Sequence, residues 1–234
     1  MSPSFYNSWR HVFKLDPDRP IDDTALEAVC TSGTDAILVG GSTGLTFDNT
    51  VDLLSRIRRY ELPCALELSD PAAGVPGFDG YFIPMVLNTK CAEWLIGHHV
   101  EAIRDFGHIM PWDSIAGQAY LVLNGNSTVA QLTQADTNIS QAEALAYSQV
   151  ADRLWHVPVL YIEYSGAFGD MALVRRIRES LKQAHLFYGG GIDGPERARQ
   201  AAEAADTVVI GNIVYHNLDA ALATVRAVNH SIKE

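Results

Sequence analysis

The sequence predicts an α/β fold, a single (β/α)8 TIM barrel domain over residues 1–234, and three observations support this. Eight short runs of apolar and β-branched residues recur along the chain, and helix-forming segments separate them. Eight strand–helix units in 234 residues fit a closed parallel barrel better than an open doubly wound sheet. A hydrophobic content of 47% is enough for the large core that such a barrel needs.

The strand candidates, in chain order, are the apolar runs that turn-forming residues bound. They are residues 11–15, 36–39, 65–68, 81–84, 119–123, 159–164, 186–188 and 208–210.

Helix-start signals lie between these runs. Thr24 with Glu27, and Ser140 with Glu143, have the spacing of a capping box. Pro195 stands at a favourable first-turn position before a strongly helix-forming stretch.

Two other connections complete the barrel pattern. Residues 69–80 are rich in Gly, Pro and Asp and are too few for a full helix, so we expect an irregular crossover after strand 3. Apolar residues at helical spacing over 218–225 predict the helix that closes the chain.

Composition excludes several classes of protein. The net charge of -11, without a cluster of basic residues, argues against nucleic-acid binding. No apolar run reaches the roughly 18 residues that cross a bilayer, and the first ten residues lack a signal-peptide pattern. Three widely spaced cysteines indicate reduced thiols in a cytoplasmic protein. Any contact with a membrane-derived substrate would therefore be transient.

The carboxyl ends of barrel strands carry the chemistry in this fold. Glycines at 189–191 follow strand 7, and Gly211 with Asn212 follows strand 8. Backbone N–H groups at such turns converge on anions, and barrels commonly bind phosphate there. A glycine triplet alone is a weak signal because glycines also mark ligand-free turns. The second glycine turn beside it favours a phosphate site.

One carboxylate is predicted to face the barrel interior. Tyr161, Glu163 and Ser165 alternate along strand 6 and so share one face. A carboxylate there is costly unless the protein uses it or pairs it. Glu163 is therefore either an acid–base group or the partner of Lys14 in a salt bridge.

Asp16 and Ser42, from neighbouring strands, offer hard oxygen ligands of the kind that Mg²⁺ prefers. Mg²⁺ usually takes one or two protein ligands and completes its shell with phosphates and water. His98 and His99 are adjacent, so they point in different directions on a helix, and we interpret them as structural or solvent-facing.

Six motifs together resemble one known family, that of the geranylgeranylglyceryl/heptaprenylglyceryl phosphate synthases. The resemblance runs over residues 9–228, and FKLDP and RRYELPC are most similar to the bacterial heptaprenylglyceryl phosphate synthases. The motifs are WRHVFKLDPD (9–18), SGTDAILVGGS (32–42), PGFDGYFIPMVLN (76–88), YIEYSG (161–166), FYGGGI (187–192) and VVIGN (208–212).

The resemblance implies a homodimeric, Mg²⁺-dependent prenyltransferase. Such an enzyme joins a polyprenyl diphosphate to the C3 hydroxyl of sn-glycerol 1-phosphate in an ether bond and releases diphosphate. By motif position, Asp16 and Ser42 correspond to the Mg²⁺ site, and Glu163 and Lys14 are the expected catalytic residues, with Glu163 as base or orienting acceptor. The glycerol 1-phosphate site corresponds to Lys14, Tyr161, Ile162, Glu163, Tyr164, Ser165, Gly166, Gly191, Gly211 and Asn212.

The resemblance also implies a site that limits prenyl chain length. A bulky residue on the helix after strand 4 closes the prenyl groove in this family, and Ala102 stands at the corresponding position. A small side chain there predicts a long donor, heptaprenyl in preference to geranylgeranyl.

Other reactions are compatible with the same residues. They are transfer from a shorter prenyl donor, transfer to 3-phosphoglycerate, and phosphosugar isomerase or lyase chemistry in which Lys14 or Glu163 transfers protons without Mg²⁺. The sequence has no obvious extra arginine for the carboxylate of 3-phosphoglycerate.

Overall fold

Eight parallel strands close into a barrel in the computed structural model, which describes residues 5–230. The strands pair in chain order, and β8 pairs with β1 to complete the ring. The predicted (β/α)8 barrel is therefore confirmed, whereas the first and last four residues of the predicted domain lie outside the described residues. The strands are β1 His11–Leu15, β2 Ala36–Val39, β3 Cys64–Glu67, β4 Gly80–Val86, β5 Ile115–Val122, β6 Val159–Glu163, β7 His185–Gly189 and β8 Thr207–Ile210.

Helices connect the strands on the outside of the barrel. In the fully described stretch between β3 and β4 the chain forms only a 3-10 turn at Pro71–Ala73, so the predicted irregular crossover is confirmed. The α-helices are α1 Asp23–Cys30, α2 Phe47–Ile57, α3 Gly97–Phe106, α4 Thr128–Thr133, α5 Gln141–Gln149, α6 Met171–Ser180, α7 Pro195–Ala204 and α8 Leu218–His230.

The caps explain where two of these helices begin. Ser140 and Glu143 form the predicted capping box at the start of α5. The prediction for α1 is wrong, because its N-cap is Asp22, whose carboxylate accepts from the Ala25 N–H at 2.8 Å. An aspartate caps at least as well as a threonine, so the helix begins two residues earlier than the Thr24 pattern suggested.

Side chains alternate between the two faces of each strand, and this alternation positions the site. On β1, Phe13 and Leu15 belong, with Leu26 of α1, to the outer core between the strands and the helices. Val12 belongs to the core inside the barrel, and Lys14 lies on the same face, one step nearer the carboxyl end.

Aromatic rings close the opposite end of the barrel. Phe5, Tyr6 and Trp9 precede β1 and pack against Phe82 of β4 with ring centroids 5.2, 5.5 and 6.2 Å from it. Tyr6 also lies edge-on to Phe187 of β7 at 6.2 Å. Within residues 5–230, this aromatic plug covers the amino end of the barrel.

No helix within residues 5–230 combines the length and the apolar character that a bilayer span requires.

Candidate active site

A cavity of about 980 Å³ opens at the carboxyl ends of the strands. Its centre is polar, because Lys14, Glu67 and Glu163 reach it from β1, β3 and β6. On one side it extends under α3 along an apolar wall. That wall is lined by Ile83, Met85, Ile103, Met110, Trp112 and Leu132.

Most of the site residues predicted from the sequence meet in this cavity. Ile162 and Tyr164 do not line it, because alternate residues of β6 point outward and both pack in the outer core. The predicted residues that line the cavity are Lys14, Asp16, Ser42, Ala102, Tyr161, Glu163, Ser165, Gly166, Gly191, Gly211 and Asn212.

Lys14 forms an ion pair at the centre of the cavity, but its partner is Glu67. Lys14 Nζ lies 2.5 Å from Glu67 Oε1, and the side chains are 20% and 6% exposed. Burial alone lowers the pKa of Lys14, but the Glu67 carboxylate and the more distant Glu163 outweigh burial and raise it. Lys14 is therefore a fixed cation, and the salt bridge to Glu163, which the sequence left open as the alternative to an acid–base role, is not formed.

Glu163 lies across the barrel from Glu67 and has no cation bound to it among the described residues. Its Oε1 accepts a hydrogen bond from the Ser165 N–H. Burial raises its pKa to about 7, and the positive charge of Lys14 opposes that rise. A carboxyl that titrates near neutrality is suited to accept a proton from a hydroxyl group.

Asp16 lies where its carboxylate could contact a metal ion that a bound phosphate also contacts. It is half-buried at the cavity rim, and burial raises its pKa. A Cβ atom on Gly41 would lie 2.5 Å from Asp16 Oδ1, so the glycine makes room for the carboxylate. Ser42, the next residue, is exposed at the same rim.

The described residues hold no group of three His, Cys, Asp or Glu side chains that would form a metal cage on its own. Mg²⁺ usually takes one or two protein oxygens and fills its shell with phosphates and water. The pair of Asp16 and Ser42 fits that mode of binding.

The glycine turns after β6 and β7 form the polar wall opposite α3. Gly191 has φ +58°, and a Cβ atom there would collide with the backbone of Ala167 and Phe168. A side chain at this position is thus excluded both by conformation and by space. The loops after β6 and β7 therefore lie backbone against backbone at this edge of the cavity.

Tyr120, Arg19 and Tyr215 are among the cavity residues that the sequence reasoning did not single out. The Tyr120 hydroxyl donates to Glu67 Oε2, and the Tyr120 ring stacks on Tyr161 with centroids 4.5 Å apart. Arg19 Nη1 donates to Asn212 Oδ1 at 2.8 Å, and its Cζ lies 3.8 Å from the centroid of the Tyr215 ring. Period-two alternation along β5 could have identified Tyr120, whereas the Arg19 contacts depend on loops that are distant in sequence.

His98 and His99 were interpreted as structural or solvent-facing, which agrees with the backbone contact of His99 and with a His98 side chain that is 44% exposed. Both line the cavity. The His99 Nε2–H donates to the Pro84 carbonyl oxygen at 2.9 Å, and the His98 ring lies 4.9 Å from that of Trp94. At the start of α3, the His99 ring thus faces β4 and the His98 ring faces Trp94.

Known proteins resemble this chain over nearly all of the described residues. A sequence profile of the PcrB family matches residues 5–229. Heptaprenylglyceryl phosphate synthase from Geobacillus kaustophilus is 52% identical over 221 residues, covering 94% of this chain and 92% of that protein. The protein of the same name from Bacillus cytotoxicus is 51% identical over 222 residues, covering 95% and 97%.

A solved structure extends the likeness to three dimensions. It is the crystal structure of (S)-3-O-geranylgeranylglyceryl phosphate synthase from Thermoplasma acidophilum in complex with substrate sn-glycerol-1-phosphate. The TM-score is 0.84 at 26% identity, and the superposition covers 97% of this chain and 96% of that chain. Sequence and fold therefore agree on the same group of proteins.

Proposed function

Because the chain belongs to the PcrB family, we propose that it is a prenyltransferase acting on sn-glycerol 1-phosphate. It forms an ether bond between the C3 hydroxyl of that acceptor and a long polyprenyl diphosphate, preferably heptaprenyl, and releases diphosphate. The two relatives at about half identity carry the name of this activity. The Thermoplasma acidophilum neighbour was solved with sn-glycerol-1-phosphate.

One structural observation carries the proposal: a single cavity joins a polar centre to an apolar groove. The polar centre contains Lys14 and Glu163 and is bordered by the glycine turns after β6, β7 and β8. The groove runs under α3 beside β4 and β5. A small phosphorylated alcohol suits the first part, and a hydrocarbon chain suits the second.

The acceptor phosphate binds at the glycine turns, where Gly191, Gly211 and Asn212 line the cavity. Lys14 supplies positive charge from the centre of the cavity. Tyr161, Ser165 and Gly166 line the same wall. Ile162 and Tyr164 act indirectly, by packing the strand that presents their neighbours.

Glu163 accepts the proton of the C3 hydroxyl as the oxygen attacks the allylic carbon of the donor. The bond from that carbon to the diphosphate oxygen breaks, and its electron pair leaves with the diphosphate. The apolar wall keeps water away from the allylic carbon. Water would otherwise attack that carbon and form a prenyl alcohol in place of the ether.

Asp16 and Ser42 would hold Mg²⁺ at the rim. When bound, the ion supplies positive charge that offsets the charge of the diphosphate. Asp16 is half-buried at the rim, so the chain provides one carboxylate ligand and leaves the remaining positions to Ser42, phosphate oxygens and water.

Ala102 sets the preference for a long donor. It lies on α3 and lines the cavity beside Ile103. Its methyl group leaves the groove open, whereas a bulky side chain at this position would close it.

We also propose where the protein acts, how it contacts lipid and in which oligomeric state. The free thiols of Cys30, Cys64 and Cys91 suit a cytoplasmic protein. Ile96, Ile103 and Trp112 line the groove and are also exposed, so transient contact with lipid would accompany donor capture. The family resemblance supports a homodimer, which analytical ultracentrifugation of the full chain would test.

The decisive experiment incubates the protein with labelled sn-glycerol 1-phosphate, a panel of prenyl diphosphates and Mg²⁺, with and without EDTA. We expect an ether lipid whose yield is highest with heptaprenyl diphosphate and is abolished by EDTA. A parallel panel with 3-phosphoglycerate and with phosphosugars covers the alternative reactions. Failure to form a prenyl ether from any donor would refute the proposal.

A further inference from the structure

Glu67 is a buried acid to which the proposed transfer assigns no role. It ends β3, and its side chain is 6% exposed. Oε1 accepts from Lys14 Nζ at 2.5 Å, and Oε2 accepts from the Tyr120 hydroxyl. Both oxygens are therefore used inside the protein. A buried carboxylate with two such partners is positioned much more tightly than a surface ion pair.

The neighbouring strands leave Glu67 little freedom to move. A Cβ atom on Gly40, the residue after β2, would lie 2.9 Å from Glu67 Cβ, so the chain leaving β2 lies directly against the end of β3. On the other side, the Tyr120 ring is stacked on Tyr161 with an interplanar angle of 6°. The stack fixes the hydroxyl group that holds Oε2.

The charges of three carboxylates, Glu67, Glu163 and Asp16, act on Lys14, but it pairs with one of them. Among residues 5–230, the ion pair of Lys14 within 4.0 Å is with Glu67. The charge of Glu163 acts on Lys14 without direct contact. Glu163 Oε1 accepts a hydrogen bond from the Ser165 N–H, and Glu163 Oε2 has no hydrogen-bond partner among residues 5–230.

This asymmetry matters because a bound cation weakens a carboxylate as a base. An ammonium group in contact with a carboxylate lowers its pKa by about 1 to 3 units. The groups that face Glu163 are Lys14, Glu67, Tyr120, Tyr161, Tyr188 and the Ser165 N–H. Lys14 is the one cation in this set.

We infer that Glu67 is a positioning residue that holds the Lys14 ammonium group on the β3 side and thereby leaves Glu163 unpaired to accept the hydroxyl proton. The inference rests on the proposed function for its consequence in catalysis. That Glu67 holds the ammonium group while Glu163 has no bound cation does not depend on the proposed function. Lys14 stays charged throughout.

Glu67→Gln is the sharpest test, because it removes the charge and keeps the shape. Lys14 then turns to Glu163, which shares the centre of the cavity with it, rather than to Asp16 at the rim. We expect the acidic limb of the pH profile of kcat to move down by at least about one pH unit. We also expect kcat on the plateau to fall about tenfold, because the base is weaker.

Two further variants make this result specific. Tyr120→Phe removes one anchor of Glu67 and should shift the acidic limb in the same direction by a smaller amount, so the inference remains testable if Glu67→Gln folds poorly. Glu179→Gln changes an exposed carboxylate on α6 in the same way and should leave the profile unchanged.

A measurement without turnover separates this inference from the proposed function. Carboxyl-¹³C glutamate is incorporated, the Glu163 signal is assigned from its loss in Glu163→Gln, and the ligand-free protein is titrated. The Glu163 midpoint should fall in Glu67→Gln and, less, in Tyr120→Phe. Unchanged midpoints in both variants would overturn the inference. If no donor supports transfer but the midpoint falls, the proposed function is wrong and the role of Glu67 is retained.

Discussion

The ionisation of Glu163 makes the most specific prediction for catalysis. Burial raises its pKa to about 7 against the opposing charge of Lys14. A carboxyl with that pKa is about 9% ionised at pH 6 and about 91% ionised at pH 8. Only the ionised form accepts a proton. We therefore expect kcat to rise about tenfold from pH 6 to pH 8, with a midpoint near 7.

Replacing Glu163 with glutamine removes the base and keeps its size. We expect kcat to fall by about 100- to 10,000-fold, the usual contribution of a general base. KM for glycerol 1-phosphate should change by less than about threefold, because the phosphate binds at the glycine turns. The residual rate should no longer follow a midpoint near 7.

The assay measures labelled ether lipid from saturating acceptor and donor, with excess Mg²⁺, between pH 5.5 and 9. Glu179→Gln serves as the matched control on the protein surface. A Glu163→Gln enzyme that keeps the wild-type pH midpoint would refute the assignment of Glu163 as base. Equal losses of acceptor binding and rate would show instead that Glu163 positions the acceptor.

Three other changes test separate parts of the molecule. Asp16→Asn should raise the Mg²⁺ concentration needed for half-maximal activity at least tenfold; an unchanged Mg²⁺ dependence would remove Asp16 from the metal site. Ala102→Trp should shorten the preferred donor, and identical product lengths in both enzymes would show that Ala102 does not limit the groove. His11 is buried between the hydroxyls of Thr34 and Thr224, and burial lowers its pKa to about 3. The unfolded chain therefore binds the extra proton first, so stability is full above pH 6.5 and should fall by about 2 kcal/mol between pH 7.5 and pH 5. Urea unfolding that is equally pH-dependent in His11→Gln would contradict this.

The sequence predicted the barrel and the location of the site because both depend on local patterns. The apolar runs of β1 and β2 have the predicted bounds. Alternation along β6 placed Tyr161, Glu163 and Ser165 on one face, and all three line the cavity. The glycine turns after β7 and β8 were likewise visible as local composition.

Strand ends were harder to predict where composition works against the strand. Pro84 lacks an N–H group and suggested the end of β4, but the strand continues to Val86. Gly117 and Gln118 interrupt the apolar pattern of β5, which nevertheless begins at Ile115. Pairing with both neighbouring strands outweighs local preference in a closed barrel.

The partner of Lys14 could not be predicted, because the choice is made in three dimensions. Two carboxylates end strands that flank the same cavity, and spacing along the sequence treats them alike. Tyr120 on β5 donates a hydrogen bond to Glu67 and so fixes the carboxylate that Lys14 contacts. The contact of Arg19 with Asn212 likewise joins loops 193 residues apart.

The aromatic plug has a kinetic consequence. Phe5, Tyr6 and Trp9 seal the amino end against Phe82, so a hydrocarbon chain cannot leave through the barrel floor. The ether lipid must therefore exit by the groove through which the donor entered. The two then compete for one passage, and accumulating product should inhibit the enzyme competitively against the prenyl diphosphate. Turnover would depend on a membrane or a later enzyme that removes the lipid.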